Sequence, residues 1–282
     1  MRRTVAMLVL AVLLAGCSGA GDGGDSNATA SPATTQATAT GTIDGMFDVG
    51  GHKLHLECQG SGSPTLVYLH GLGGNSEGAA SIYAPLTDRI RVCVYDRLNA
   101  GRSDSEGDRH TGADSVQDLH ALLDAAAVRG PYLLLGFSFS GLLATMYAGT
   151  YPNQVMGILL LDSSLPTDAE VDQLIPKAER AQAVAEGEAN PERVEFYRTL
   201  DQAKALVGKV PDVPVTYMAA EPVDLPSTWP VKRMRAFIRT QQTEFVGRFR
   251  QGRLVRVRSP HDIDLAMPGR VLQEVEKILS SS

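Results

Sequence analysis

The stretch Pro131-Tyr-Leu-Leu-Leu-Gly-Phe-Ser-Phe-Ser-Gly-Leu-Leu-Ala144 decides how the rest of this chain is read. Its apolar residues 132–135 stand between a proline and a glycine, the pattern of a short buried strand. Gly136-Phe137-Ser138-Phe139-Ser140-Gly141 follows, and then a helical run over 142–148. A serine on so tight a turn takes a strained backbone conformation and brings strand and helix together, so the residues two positions away must be small. Gly136 meets that demand before the serine and Ser140 after it, with Gly141 next. Taken alone, the stretch makes Ser138 either an exposed nucleophile or a hydrogen-bonded turn serine.

The chain has 282 residues, of which 43% are apolar and 21% charged. This is an ordinary globular composition, with length for one large α/β domain and additional segments. A net charge of −6 without a basic block leaves nothing to neutralise phosphates, which argues against a nucleic-acid partner. The three cysteines are too few for a disulfide scaffold and are not spaced as zinc ligands.

Residues 1–16 combine Arg2 and Arg3, an apolar run short for a bilayer span, and small residues ahead of Cys17. That is the pattern of a secretory signal. Leu14-Ala15-Gly16-Cys17 resembles the lipobox of bacterial lipoproteins. The resemblance implies a signal peptide over 1–16, diacylglycerol and a further acyl chain such as palmitate on Cys17, and attachment to the outer face of the bacterial cell membrane. Several acyl chains together give a stable anchor where one is marginal. Residues 17–42 are mostly Gly, Ser, Ala and Thr with some Asp and Asn and almost nothing to bury, and are expected to form a disordered tether.

Beyond the tether, 45–49 and 52–58 read as a hairpin around Gly50-Gly51, with His52 and His55 expected at the surface. A strand over 64–69 ends in His70-Gly71-Leu72-Gly73-Gly74. A helix over 75–89 leads to Arg91-Val-Cys-Val-Tyr-Asp-Arg-Leu-Asn-Ala-Gly-Arg-Ser-Asp104. A further helix is expected over 114–128, with His110 and His120 solvated. Residues 155–161 form a buried strand ending in Asp162, a carboxylate at the edge where α/β folds place their sites. The next strand, 214–220, is followed by Glu221 and Asp224. Between these two strands, 167–206 is helical in composition. A basic amphipathic helix follows Trp229 over 231–249, its arginines 233, 235 and 239 expected on a solvated face. The last strand, 254–258, leads to a loop with His261, which alone of the six histidines lies between that strand and the closing helix over 270–279.

In this order the features resemble the serine α/β-hydrolase family from about 43 to 280, with the nucleophile, acid and histidine in the family's order. The turn resembles G-x-S-x-G with Ser140 for the second glycine. The 91–104 segment resembles Y-D-R-x-G-x-G-x-S-D with Asn99 for one glycine, a mild change because Asn tolerates the left-handed conformation. The resemblance implies an α/β fold over 43–282, with a mostly parallel central sheet of about eight strands flanked by helices. A short helical cap, inserted at 164–210, would roof the pocket. It implies Ser138, Asp162 and His261 as catalytic residues and the backbone N–H groups of Leu72 and Phe139 as an oxyanion hole. His261 and Pro268 share the family's His-x-x-x-x-x-x-Pro spacing. Most members carry the acid after the following strand, which would make it Glu221 or Asp224. Ala220-Glu-Pro222 instead resembles haloalkane dehalogenases whose acid follows the earlier strand, so Asp162 is preferred, Glu221 second and Asp224 third.

Asp96 and Arg97 are expected to brace the loop and take no part in the chemistry. Phe137 and Phe139 suggest an apolar acyl pocket, although Phe137 could equally pack beneath the turn. Cys58 and Cys93 fall on strands that neighbour each other in the family's sheet, which implies a disulfide in an exported protein. The activity implied is hydrolysis of an acyl ester of a small or lipidic substrate through an acyl-enzyme, with no metal or organic cofactor. Aminopeptidase and thioesterase activity use the same residues and stay open, as does the oligomeric state. Serine in place of a carboxylate at 138 argues against a dehalogenase or an epoxide hydrolase. The alternative from another class is a non-catalytic binding or scaffold lipoprotein, since a fold does not fix a function.

Overall fold

The apolar runs of the sequence become eight strands of one sheet: β1 (Ile43–Asp48), β2 (Lys53–Gln59), β3 (Thr65–Leu69), β4 (Arg91–Tyr95), β5 (Tyr132–Phe137), β6 (Val155–Leu161), β7 (Val215–Glu221) and β8 (Gly252–Arg258). Their order is β1-β2-β4-β3-β5-β6-β7-β8. β2 runs antiparallel to β1 and β4, and every other pair is parallel. The computed structural model describes residues 41–79 and 84–281. The expected signal peptide, the lipobox-like stretch with Cys17 and nearly all of the expected tether lie outside the described residues. Among those described, no helix is long and apolar enough to cross a membrane.

The central strands are apolar on both faces because helices cover both. Val67, Leu69 and Leu134 pack with helix α1 (Gly112–Ala125) and helix α2 (Ser140–Thr150) on one face. Leu66, Tyr68, Leu133 and Leu135 face the other way, onto Val271, Val275 and Ile278 of the closing helix. Successive side chains of a strand point to opposite faces, so each strand serves two cores. The edge strand β1 alternates half-buried and exposed residues. Helix α1 begins two residues earlier than expected, at a capping box in which Thr111 accepts from Asp114 N–H and Asp114 accepts from Thr111 N–H.

Between β6 and β7 lie α3 (Asp168–Asp172), α4 (Lys177–Glu188) and α5 (Phe196–Leu206), the expected short helical insertion. Helix α6 (Val231–Val246) separates β7 from β8, and α7 (Ile263–Ala266) and α8 (Pro268–Ser280) close the chain. Cys58 and Cys93 stand opposite each other in the β2–β4 register and are disulfide-linked.

Five local expectations are corrected. His55 is buried, because Asp44 on β1 and the 96–104 loop cover its face of the sheet; its Nε2 lies 2.7 Å from Asp44 Oδ1. His52 is half-buried, with its Nε2 3.1 Å from Asp118. His110 and His120 are half-buried as well, the latter stacked on Tyr151 at 4.0 Å between ring centroids. The helix expected over 75–89 appears, among the described residues, as a 3₁₀ turn at Ser76–Ala79 and turns through 84–89, with 80–83 not described.

Candidate active site

The carboxyl ends of the parallel strands share one rim, and the turn after β5 carries Ser138 there. Its φ is 52°, the left-handed region that costs a non-glycine residue strain, here about 1–2 kcal/mol. Neighbouring backbone holds it: Ser138 N–H donates to Leu161 C=O at 3.0 Å, and Ser138 C=O accepts from Ser164 N–H at 3.0 Å. The closeness of strand to helix explains the two glycines of the turn. A Cβ on Gly136 would sit 2.6 Å from the Ser140 carbonyl oxygen, and one on Gly141 would sit 2.2 Å from Ser163 Cβ. Ser140 is more than a tolerated small residue. Its buried hydroxyl donates to His70 C=O and accepts from Arg97 Nη1 at 2.8 Å.

Asp162 leaves β6 with φ at 39°, a second strained residue beside the first. Its N–H donates to Met218 C=O at 2.8 Å, and its Oδ1 accepts from Ala220 N–H at 3.0 Å. The other oxygen, Oδ2, lies 2.7 Å from His261 Nδ1. His261 Nε2 lies 2.9 Å from Ser138 Oγ. A carboxylate can only accept, so the imidazole donates from Nδ1 and its Nε2 is free to accept from the serine hydroxyl. The hydrogen bond to Asp162 raises the histidine's pKa above its ordinary value, against the opposing effect of burial.

The structure thus brings Ser138, Asp162 and His261 together and leaves the two other acids apart. Glu221 pairs with Arg239 at 2.8 Å and Arg256 at 2.9 Å. Arg239 stays exposed on the solvated face, as expected, while paired with this carboxylate. Arg235 likewise donates to Val223 C=O at 2.9 Å. Asp224 is exposed.

Leu72 lies in the loop after β3 and Phe139 directly follows Ser138. Neither N–H donates to a protein acceptor among the described residues. The loop itself is held by Arg97, as expected, and by a residue that sequence reasoning missed. Glu192, from the segment between α4 and α5, is fully buried and pairs with Arg97 Nε at 2.7 Å. Asn99, at φ 66°, donates from Nδ2 to Glu192 C=O at 3.1 Å. The one early signal for Glu192 was that a structural arginine inside a loop needs a counter-charge. Burial, then the Arg97 charge, holds the His70 imidazole down at about 4, so this ring is neutral at ordinary pH.

Ser138 and His261 open into a cavity of about 430 Å³, within the range of small-molecule sites. Its walls come from the insertion, from α6 and from the segment before α6, including Val171, Ile175, Phe196, Trp229 and Ile238. Phe137 and Phe139 do not line it, which corrects the expected acyl pocket. The Phe137 ring packs against His261 at 4.9 Å between centroids, and Phe139 faces Phe196 at 6.0 Å. Asp168 joins the wall, accepting from Leu165 N–H at 3.1 Å; burial pushes its carboxyl up to about 7. Among the described residues, no three His, Cys, Asp or Glu side chains gather as metal ligands.

Comparison with known proteins agrees with this architecture. Residues 64–193 match the family model described as the alpha/beta hydrolase fold. The uncharacterized protein YqjL of Bacillus subtilis is 29% identical over 168 residues, covering 58% of this chain and 63% of that protein. A pimeloyl-[acyl-carrier protein] methyl ester esterase of Shewanella woodyi is 35% identical over 125 residues, covering 44% of this chain and 45% of the relative. A proline iminopeptidase of Lactobacillus helveticus is 32% identical over 130 residues, covering 44% of each. The chain spans 63%, 45% and 44% of the lengths of these three relatives, short of two thirds in each. Among solved structures, the enol-lactonase of Burkholderia xenovorans LB400 superposes with a TM-score of 0.59 at 17% identity, over 84% of this chain and 100% of that one. A membrane phospholipase A gives 0.61 at 16% identity, over 86% of both chains. At such identities the likeness speaks for the fold alone. By sheet order, family match and structural neighbours together, this chain has the α/β-hydrolase fold.

Proposed function

We propose that this chain is a serine hydrolase that cleaves an acyl ester of a small or lipidic substrate. The observation that carries the reading is His261, whose Nε2 lies 2.9 Å from Ser138 Oγ while its Nδ1 lies 2.7 Å from Asp162. In the first half-reaction, His261 takes the Ser138 proton as Oγ attacks the acyl carbonyl. Asp162 fixes the tautomer and stabilises the imidazolium. The N–H groups of Leu72 and Phe139 receive the charge that develops on the carbonyl oxygen. The imidazolium then gives its proton to the departing alkoxide, leaving Ser138 acylated. In the second half, His261 takes a proton from water, hydroxide attacks the acyl-enzyme, and the acid leaves as Ser138 is reprotonated.

The mostly apolar cavity suits an acyl group without charge. Esterase and peptidase relatives support bond hydrolysis and leave the leaving group to experiment. Matched p-nitrophenyl esters, amino-acid anilides and acyl thioesters, offered to the protein and to Ser138→Ala, test the reading. Ester turnover lost in the variant is expected. Turnover indifferent to Ser138, or none with any acyl donor, would refute it and favour the scaffold alternative. From the lipobox we further propose a lipid anchor at Cys17 on the outer face of the bacterial cell membrane. Palmitate incorporation that persists in Cys17→Ala would contradict that anchor.

A further inference from the structure

We propose that Glu192 is a positioning residue: with Arg97 it clamps the two peptide planes on either side of Leu72 and so aims the Leu72 N–H at the reacting carbonyl. The inference rests on the serine-hydrolase reading above.

A trans peptide is planar, and its C=O and N–H point in opposite directions. Fixing either group therefore fixes the other. The plane before Leu72 comprises Gly71 C=O and Leu72 N–H. Its carbonyl accepts from Arg97 Nη2 at 2.9 Å and from Gly74 N–H at 3.0 Å. The Leu72 N–H is thereby turned away from the guanidinium. The plane after Leu72 comprises Leu72 C=O and Gly73 N–H, and Gly73 N–H donates to Glu192 Oε1 at 2.6 Å. The same oxygen accepts from Arg97 Nη2 at 2.8 Å, while Oε2 accepts from Nε at 2.7 Å. Arg97 Nη1 also holds His70 C=O at 2.7 Å, one peptide further back.

The side chains of the pair are 1% and 0% exposed. Water therefore does not compete for these bonds, and a forked guanidinium–carboxylate pair holds one geometry. Burial works to raise the Glu192 pKa, but the Arg97 charge holds it below its ordinary value, so the clamp is charged throughout the neutral range. Glu192 lies between α4 and α5, in the insertion that also walls the substrate cavity. A glycine-rich loop has little stiffness of its own. The insertion thus carries a second task besides shaping the pocket, that of holding an oxyanion donor in register with Ser138.

The test compares Glu192→Ala and the isosteric Glu192→Gln with the unsubstituted protein on a p-nitrophenyl ester, together with inhibition by a matched trifluoromethyl ketone. Leu200→Ala, a buried site on α5 away from the cavity lining, controls for general loss of stability. Removing an oxyanion donor outright typically divides kcat by 10²–10³, so misaiming one is expected to divide it by about 10–100 in Glu192→Ala. KM should stay within about threefold, because an oxyanion donor acts on the transition state and not on the bound substrate. Affinity for the ketone, whose hemiketal oxygen needs the same donor, should fall with kcat. Glu192→Gln keeps an acceptor for Gly73 N–H and should lose less; if the alanine variant does not fold, this one carries the comparison. Leu200→Ala at comparable loss of melting temperature should keep its kcat. The clamp is overturned if both Glu192 variants keep kcat within about threefold, if KM alone moves, or if Leu200→Ala loses as much. Absence of Ser138-dependent turnover in the unsubstituted protein would instead bring down the hydrolase reading, and the clamp with it.

Discussion

Asp162→Asn isolates what the carboxylate does for His261. Asp162 Oδ1 accepts from Ala220 N–H at 3.0 Å, so the asparagine amide must place its oxygen there and its NH₂ where Oδ2 now faces Nδ1 at 2.7 Å. The imidazole then has to accept at Nδ1, and in its neutral form carries its proton on Nε2, aimed at Ser138 Oγ. The serine loses its base without any change of shape in the pocket. In serine proteases the wrong tautomer divides kcat by about 10⁴. Here a loss of about 10³–10⁴ is expected, equivalent to about 4–5.5 kcal/mol of transition-state stabilisation. The assay is steady-state hydrolysis of a p-nitrophenyl ester, with KM within about threefold of the parent because the cavity is untouched. Glu221→Gln is the paired control. Glu221 faces Arg239 and Arg256 and is partly exposed, where ion pairs contribute little, so its kcat should stay within about threefold. A collapse in Glu221→Gln with Asp162→Asn near normal would refute the assignment of the acid.

Three further outcomes follow from the same geometry. His261 must be neutral to act as base, and the Asp162 hydrogen bond favours its charged form. The acid limb of kcat/KM should therefore rise with pH through a midpoint above about 6.5; a midpoint below about 6 would contradict this. Gly136→Ala forces a Cβ against the Ser140 carbonyl oxygen. It should destabilise by about 1–3 kcal/mol, read as a melting temperature lower by roughly 2–12 °C; an unchanged melting curve would show that the turn has slack. Replacing Cys58 and Cys93 together opens a cross-link over a sequence separation of 35. Stability to guanidinium should fall by about 2–5 kcal/mol, and no change in midpoint would deny the disulfide a stabilising role.

The turn and the three side chains that converge there were legible because each part has a local mark. Ser138 stands between a buried strand and a helix with small neighbours, Asp162 ends a buried strand, and His261 lies between the last strand and the last helix. The sheet was legible because strands buried on both faces read as continuous apolar runs. The rest depends on what folds over a residue from far along the chain. Nothing beside His55 announces that Asp44 and the 96–104 loop will cover it. Glu192 lies in a polar segment 95 positions from its partner Arg97. Helix α6 read as a basic amphipathic helix, but nothing in its sequence told that Met234, Ile238 and Gln241 on its other face wall the cavity. Phe137 and Phe139, adjacent to the serine in sequence, pack against His261 and Phe196. Adjacency along the chain did not translate into adjacency to the cavity.

The account stands on Ser138 being made nucleophilic by His261. The direct measurement is peptide mapping by mass spectrometry after brief exposure to a fluorophosphonate, with the unsubstituted protein, Ser138→Ala and His261→Ala side by side. A single phosphonyl adduct on Ser138, absent from the first variant and formed far more slowly in the second, is the predicted result. No adduct, an adduct on another residue, or labelling of Ser138 at the same rate without the imidazole would contradict it.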